Sequence, residues 1–221
     1  IEADEYDTAY FDKKPKFFHY KPEILVINNI EFDHADIYNN IEEIEKNFIE
    51  LVLGLPHQSK VYINTSGIRK KFLSEIEKNA SIEAELVFFN AQANNIYETN
   101  KNLTIKALEE IISENKVRES LESYKGVKRR YEVIFDNESF RVIDDFAHHP
   151  TAIKETLNIA KKENKDVTLI LELGSNSMRK GIHDDALINI FKENFSYLVS
   201  ASPEQEKKFG ENTKCLTEDE V

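Results

Sequence analysis

The sequence predicts an α/β protein built on largely parallel sheets, in two consecutive parts. Three observations predict it. Short apolar runs alternate with stretches of helical periodicity. A hairpin-like pair of strands interrupts the alternation past the middle of the chain, and the alternation then resumes.

The elements follow in order. Ile24-Leu25-Val26-Ile27-Asn28 is a continuous apolar run, the pattern of a strand buried on both faces. A polar loop over 29–38 comes next. Ile37, Ile41, Ile44, Phe48, Leu51, Val52 and Leu55 then recur at three- and four-residue steps, which predicts a helix ended by Gly54-Leu55-Pro56. Val61-Tyr62-Ile63-Asn64 predicts a second strand, and Ile68, Phe72, Leu73 and Ile76 mark a second helix. Glu85-Leu86-Val87-Phe88-Phe89 predicts a third strand, and Leu103, Ala107, Leu108, Ile111 and Ile112 a third helix. Residues 131–135 and 139–143, joined by Asp136-Asn137-Glu138, predict a β-hairpin. A helix from Pro150 follows, with Pro at an early position where its missing N–H costs nothing. A strand over 167–171, a helix over about 184–194 and a strand over 197–200 complete the pattern. The boundary falls near 123–126, giving parts 1–123 and 124–221.

The composition is that of a soluble globular protein: of 221 residues, 40% are hydrophobic and 32% charged. A formal net charge of −12 argues against nucleic acid or an anionic membrane as a broad-surface partner. It leaves room for a small anionic ligand in a locally cationic pocket. Cys215 is the only cysteine, so no intrachain disulfide can form. No apolar run approaches the roughly 20 residues that cross a bilayer. Together these suggest a cytoplasmic protein.

Four groups carry candidate chemistry. Asp33, His34 and Asp36 follow the first strand directly, at the carboxyl edge where open α/β sheets bind ligands. With Glu2, Asp4, Glu5 and Asp7, a second acidic group expected just past a strand, they offer oxygen ligands to a hard divalent cation. Solvated loop acids are the plain alternative. Asp144-Asp145-Phe146-Ala147-His148-His149-Pro150 lies between the hairpin and a helix N-terminus, which suits phosphate or carboxylate, or a simple cap. Lys128-Arg129-Arg130 concentrates positive charge in an acidic chain. Ser175-Asn176-Ser177-Met178-Arg179-Lys180-Gly181 reads as a polar loop at a strand's carboxyl end, a binding loop or a connector.

These stretches resemble the Mur ligases of bacterial cell-wall synthesis, and most closely the branch that recycles murein peptides. The resemblance rests on Glu2-Ala3-Asp4-Glu5-Tyr6-Asp7-Thr8-Ala9-Tyr10-Phe11-Asp12-Lys13, on Asn28 through Ile37, on Gly126-Val127-Lys128-Arg129-Arg130, on Asp144 through Ile153, and on Ser175-Asn176-Ser177-Met178. Residues 56–97 contribute nothing to it. It implies part of a central ATPase domain, a mostly parallel sheet with helices, followed by a Rossmann-like C-terminal α/β domain. It also implies a chain that starts after the family's phosphate loop and stops short of its C-terminal end. A piece of that kind, alone, is expected to be inactive. No Gly-x-x-x-x-Gly-Lys-Ser/Thr run occurs here.

The resemblance further implies ATP and Mg²⁺ as cofactors, with UDP-N-acetylmuramate and the tripeptide L-alanyl-γ-D-glutamyl-meso-diaminopimelate as substrates. Glu2 and His34 would hold magnesium, and Asn102 would contact adenine. Arg130 or Arg129 would reach the nucleotide, Asp145 would bind ribose, and His148 would lie near the transferred phosphate. Ser175, Asn176 and Arg179 would face the amine substrate. Two departures stand out. Where the family has Gly-x-His-Asn-x-x-Asn, this chain reads Ile96-Tyr97-Glu98-Thr99-Asn100-Lys101-Asn102. Where it has Glu-Pro-Arg-Ser-Asn-Thr, this chain reads Glu172-Leu173-Gly174-Ser175-Asn176-Ser177.

The rival readings are a ligase that adds L-alanine alone, a metal-dependent hydrolase using Asp33, His34, Asp36, His148 and His149, and a non-catalytic α/β scaffold. A hydrolase would leave Lys128-Arg129-Arg130 without a role.

Overall fold

The computed structural model describes residues 2–163, 166–199, 201, 203–209 and 213–216. It divides into two compact units, Ile1–Tyr124 and Lys125–Val221.

The first unit carries a three-stranded parallel sheet of β1 (Ile24–Ile27), β2 (Lys60–Asn64) and β3 (Glu85–Phe89), in the order β1-β2-β3. Between the strands run α1 (Ile41–Leu53) and α2 (Lys70–Glu77), and α3 (Ile96–Leu108) and α4 (Glu114–Ser123) follow. Leu25, Ile27, Val61 and Ile63 point to one face of the sheet, where Ile44, Leu51 and Val52 of α1 and Phe72 and Ile76 of α2 bury against them. Tyr62 points to the other face and is also buried. Leu103 and Ala107 of α3 are buried outside the first cluster, and α3 packs on β1 and β2.

Burial on both faces holds for the middle strand β2 but not for β1. Val26 is 39% exposed, because β1 lies at the end of the strand order and its second face is only partly covered. The first helix starts at Ile41 rather than Ile37. Asn40 caps it by accepting a bond from Glu43 N–H, which leaves Ile37 and Tyr38 in the preceding turn. The third helix ends at Leu108. Ile111 and Ile112 sit in a turn, and α4 is a separate element that the apolar spacing did not reveal. The strand expected before Glu2 lies outside the described residues.

A guanidinium holds the acidic first turns of α1. Arg69 donates from Nε to Glu45 Oε1 at 2.8 Å and from Nη2 to Glu45 Oε2 at 2.5 Å. It also donates from Nη2 to Glu42 Oε1 at 2.8 Å. Glu45 is buried at 5% exposure, so this fork neutralises a charge removed from water.

In the second unit, β4 (Glu132–Asp136) and β5 (Arg141–Asp144) form the antiparallel hairpin, with an irregularity between Val133 and Phe135. Asn137 Oδ1 accepts from Ser139 and Phe140 N–H, which tightens its turn. Then come α5 (Pro150–Glu163), β6 (Leu169–Glu172), α6 (Asn176–Arg179), α7 (Asp184–Lys192), β7 (Ser196–Val199), α8 (Pro203–Phe209) and β8 (Thr213–Leu216). β6, β7 and β8 pair in parallel in that order. Ile153, Leu157, Leu171, Met178, Leu187, Phe191 and Leu198 fill the core of this unit.

Three expectations change here. The stretch from Ser175 to Gly181 is not a plain polar loop but a short helix, with Ser177 and Met178 buried. The strand expected over 167–171 starts two residues later, and Ser200 lies outside the described residues. α8 and β8 were not anticipated from the polar sequence that carries them. Among the described residues no helix is long and apolar enough to cross a membrane.

Candidate functional site

The segment after the first residue and the loop after β1 meet in the first unit. Ligand atoms of Asp4, Glu5 and His34 lie within 4.8 Å of one another. His34 Nε2 is 3.3 Å from Glu5 Oε1. Around them, Tyr6 O–H donates to Asp36 Oδ2 at 2.5 Å, Tyr38 O–H donates to the Glu5 carbonyl at 2.6 Å, and Lys16 Nζ contacts Asp4 Oδ2 at 3.0 Å.

The backbone is bent to make this possible. His34 takes a φ of 53°, and its N–H is held by Asp33 Oδ1 at 2.7 Å. A left-handed conformation costs a non-glycine residue energy and tends to mark a site where direction matters more than stability.

Electrostatics follow the geometry. Burial opposes a positive charge on His34, but the Glu5 hydrogen bond and the charges of Glu5, Asp33 and Asp4 outweigh it and raise its pKa above the usual imidazole value. Burial likewise opposes a charge on Asp4, yet the Tyr6 amide, Lys16 and His34 bring its pKa below the carboxylate norm. Two carboxylates and one imidazole make a donor set that fits a divalent cation retaining part of its water shell. Glu2, which the family resemblance puts on the metal, is exposed and stands outside this group of three.

Tyr38 reports on the same corner. Burial pushes its phenol up to about 12, helped by the charges of Glu5, Asp7 and Asp4 and opposed by the Asn47 hydrogen bond. The raised folded value means that its contribution to stability is complete below pH 10, the ordinary tyrosine value, and is lost as pH rises through about 12. An alkaline absorbance titration of the protein minus that of Tyr38→Phe should therefore show one phenol ionising near pH 12. A difference signal at the ordinary tyrosine pH would contradict this packing.

At the carboxyl edge of the same sheet, asparagines form a chain. Asn64, buried at 2% exposure, donates to Asn28 Oδ1 at 3.1 Å, and Asn28 donates to Asn100 Oδ1 at 3.0 Å. Asn102, expected at adenine, lies on α3 and donates to the Ala91 carbonyl at 3.2 Å. These contacts tie α3 to the sheet, and the sequence reading, which named Asn102 only for adenine, anticipated none of them. A signal was present: Asn28 and Asn64 each stand at the carboxyl end of a strand.

The second unit places its candidates around Phe146. The guanidinium carbons of Arg129 and Arg130 lie 5.1 and 5.5 Å from that ring. Arg129 also contacts Asp144 Oδ2 at 3.2 Å, whereas among the described residues Arg130 forms no ion pair. Asp145 accepts from Tyr131 N–H, Ala147 N–H and Thr156 O–H. Its carboxylate thus organises the 144–150 run and keeps limited capacity for a ligand hydroxyl. His148 Nδ1 lies 2.9 Å from the Phe146 carbonyl. A carbonyl only accepts, so Nδ1 carries the proton and Nε2 is left as the basic nitrogen. His149 packs edge-on to His183 at 4.8 Å, which joins this run to the start of α7. Neither His148 nor His149 belongs to a metal-binding group among the described residues, as the hydrolase reading would need.

Ser175 caps α6 by accepting from Met178 N–H, with Asn176 the first helical residue, and Arg179 Nη2 donates to the Gly174 carbonyl. Gly181 has a φ of +74°, and a Cβ there would fall 2.8 Å from the Asp184 carboxylate. Asp184 is itself buried and held by Gln205 and Lys208 of α8. The substrate-loop candidates therefore rest on a rigid base.

A family model for the Mur ligase middle domain matches residues 11–128, and one for the Mur ligase glutamate ligase domain matches 129–215. The chain belongs to the Mur ligase family. Among its relatives, a UDP-N-acetylmuramate–L-alanyl-γ-D-glutamyl-meso-2,6-diaminoheptandioate ligase of Haemophilus influenzae is 33% identical over 84% of this chain and 48% of its own length. A UDP-N-acetylmuramate–L-alanine ligase of Fusobacterium nucleatum is 30% identical over 72% of this chain and 42% of its own. A crystal structure of a murein peptide ligase from Psychrobacter arcticus matches with a TM-score of 0.66 and 26% identity, over 98% of this chain and 54% of that one. The chain spans about half the length of the curated relatives it matches. As a Mur ligase chain it carries middle-domain sequence in its first unit and C-terminal-domain sequence in its second.

Proposed function

We propose that this chain is part of a cytoplasmic, ATP- and Mg²⁺-dependent ligase that joins UDP-N-acetylmuramate to L-alanyl-γ-D-glutamyl-meso-diaminopimelate. The observation that carries the reading is the group Asp4, Glu5 and His34 at the carboxyl end of β1, in a chain 33% identical to a ligase of that name.

The proposed chemistry has two steps. The muramate carboxylate attacks the γ-phosphorus of ATP, forming an acyl phosphate and releasing ADP. The peptide amine then attacks the acyl carbon, loses a proton and expels phosphate. Carboxylate and amine do not condense spontaneously in water, and phosphorylation replaces a poor leaving group with a good one.

A divalent cation, when bound, supplies charge neutralisation to the nucleotide phosphates. Asp4, Glu5 and His34 would hold it, with Glu2 as a further carboxylate of the same segment. Arg130, which forms no ion pair among the described residues, is assigned to the phosphoryl oxygens, with Arg129 beside it. His148 presents its basic Nε2 near the transferred phosphate. Asn102 is assigned to adenine and Asp145 to ribose, and Ser175, Asn176 and Arg179 to the peptide.

The Fusobacterium relative supports one other reading, a ligase for L-alanine alone. Offering tripeptide and L-alanine separately to the full-length protein separates the two. Amide product with tripeptide is expected, and turnover of alanine alone overturns the tripeptide assignment.

A further inference from the structure

We infer that Tyr6, with Tyr38, is a positioning residue of the proposed metal group, clasping the segment that supplies Asp4 and Glu5 to the loop that supplies His34. The inference rests on the ligase reading and adds two side chains to which that reading gives no role.

The donors need such a clasp. Asp4 and Glu5 precede β1, His34 follows it, and both stretches lie outside the strands of the sheet. No ladder of backbone bonds fixes their register. The backbone of the first stretch bonds onward instead. The Asp4 carbonyl accepts from Phe17 N–H at 3.3 Å, and the Tyr6 carbonyl accepts from Lys16 N–H at 3.1 Å.

Two hydroxyls cross the gap in opposite directions. Tyr6 of the first stretch donates to Asp36 Oδ2 of the loop at 2.5 Å, and Tyr38 of the loop donates back to the Glu5 carbonyl at 2.6 Å. The Tyr6 bond ends on a carboxylate and belongs to the stronger, charge-assisted kind. The Tyr38 oxygen accepts from Asn47 Nδ2 of α1 at 3.1 Å, which anchors the second tie to a helix. Within the loop, the His34 carbonyl accepts from the N–H groups of Ile37 and Tyr38 at 2.9 and 3.0 Å. Asp36 and Tyr38 therefore sit in the closed turn that begins at His34, and a tie at either one holds the turn that aims the imidazole.

Tyr6 also touches the donors themselves. Its N–H donates to Asp4 Oδ1 at 2.7 Å. Its ring meets the His34 ring edge to face, with centroids 4.8 Å apart and planes at 70°. Lys16, which bonds Asp4 Oδ2, lies over the same Tyr6 ring at 5.6 Å. One residue thus contacts Asp4, His34 and the loop that carries His34, and it follows Glu5 directly in the chain. Outer contacts that orient a metal's ligands are worth roughly 10- to 100-fold in metal affinity.

The test is Mn²⁺ binding to the full-length ligase without nucleotide, read from the electron spin resonance of the free ion, alongside thermal unfolding. Tyr6→Phe keeps the ring against His34 and loses only the hydroxyl. It should weaken Mn²⁺ binding about ten-fold or more, with little change in the unfolding midpoint. Asp36→Ala should cost a similar factor, and the double variant no more than either alone, because both remove one bond. Tyr38→Phe should weaken binding in the same direction. An Mn²⁺ affinity in Tyr6→Phe equal to that of the parent overturns the inference and leaves the ligase reading intact. Losses that add in the double variant overturn the clasp as well, since the two side chains then act separately. Weaker binding that comes with a collapsed unfolding midpoint in both tyrosine variants overturns it as a general structural effect. A parent that binds no Mn²⁺, or whose binding is untouched by His34→Ala, overturns the metal group on which the ligase reading rests, and the clasp with it.

Discussion

Replacing Arg69 with Ala should lower the stability of the first unit. Glu45 is buried at 5% exposure and takes two of the three hydrogen bonds that Arg69 donates to carboxylates. Without Arg69, a carboxylate inside the protein loses its counter-charge and its donors together. The loss is tempered because the Arg69 side chain is 38% exposed and water can reach its place. Replacing Glu45 and Arg69 together by apolar residues of similar size should recover most of the loss, since no charge then remains to be desolvated. Chemical denaturation of the single and double variants checks both statements. A single variant as stable as the parent would mean that Glu45 is hydrated.

His34→Ala should lower kcat/KM of the full-length ligase by about 100-fold or more, because loss of a metal ligand costs at least as much as loss of a group that only orients one. The defect should move to higher Mg²⁺, with the concentration for half-maximal rate rising. Glu5→Gln should do the same more weakly, since the amide still offers an oxygen. Both effects follow from the donor atoms of Asp4, Glu5 and His34 lying within 4.8 Å of one another. A Mg²⁺ dependence equal to that of the parent would show that His34 serves only to hold Glu5.

Much of the fold was legible because its signals are local and periodic. The continuous apolar run of β2 and the spacing along α1 and α2 need nothing beyond their own windows. Elements decided by their surroundings were harder to read. Val26 belongs to an apolar run, yet it stays exposed because β1 ends the strand order. α8 is polar in sequence, and Phe209 ties it to the core while Gln205 and Lys208 tie it to Asp184. α6 depends on one cap, Ser175, inside a stretch whose composition reads as loop.

The site divides in the same way. His34 and the acidic residues around it could be named from type and position at a strand end. That Asp4 and Glu5 rather than Glu2 meet His34 depends on how the chain turns between Asp4 and Lys16, which periodicity does not encode. The partners of Asp145 and the stacking of Arg129 and Arg130 on Phe146 arise from the left-handed residues Arg129 and Tyr131, an irregularity that no spacing rule reveals.

The central claim is that a carboxylate is activated by phosphorylation and then captured by an amine. It is tested most directly by full-length ligase turning over UDP-N-acetylmuramate labelled with heavy oxygen in its carboxylate, together with ATP, Mg²⁺ and tripeptide. Acyl-phosphate formation requires one carboxylate oxygen to leave with the phosphate, so labelled inorganic phosphate is expected in step with amide product. Amide formed while the released phosphate stays unlabelled would contradict the account.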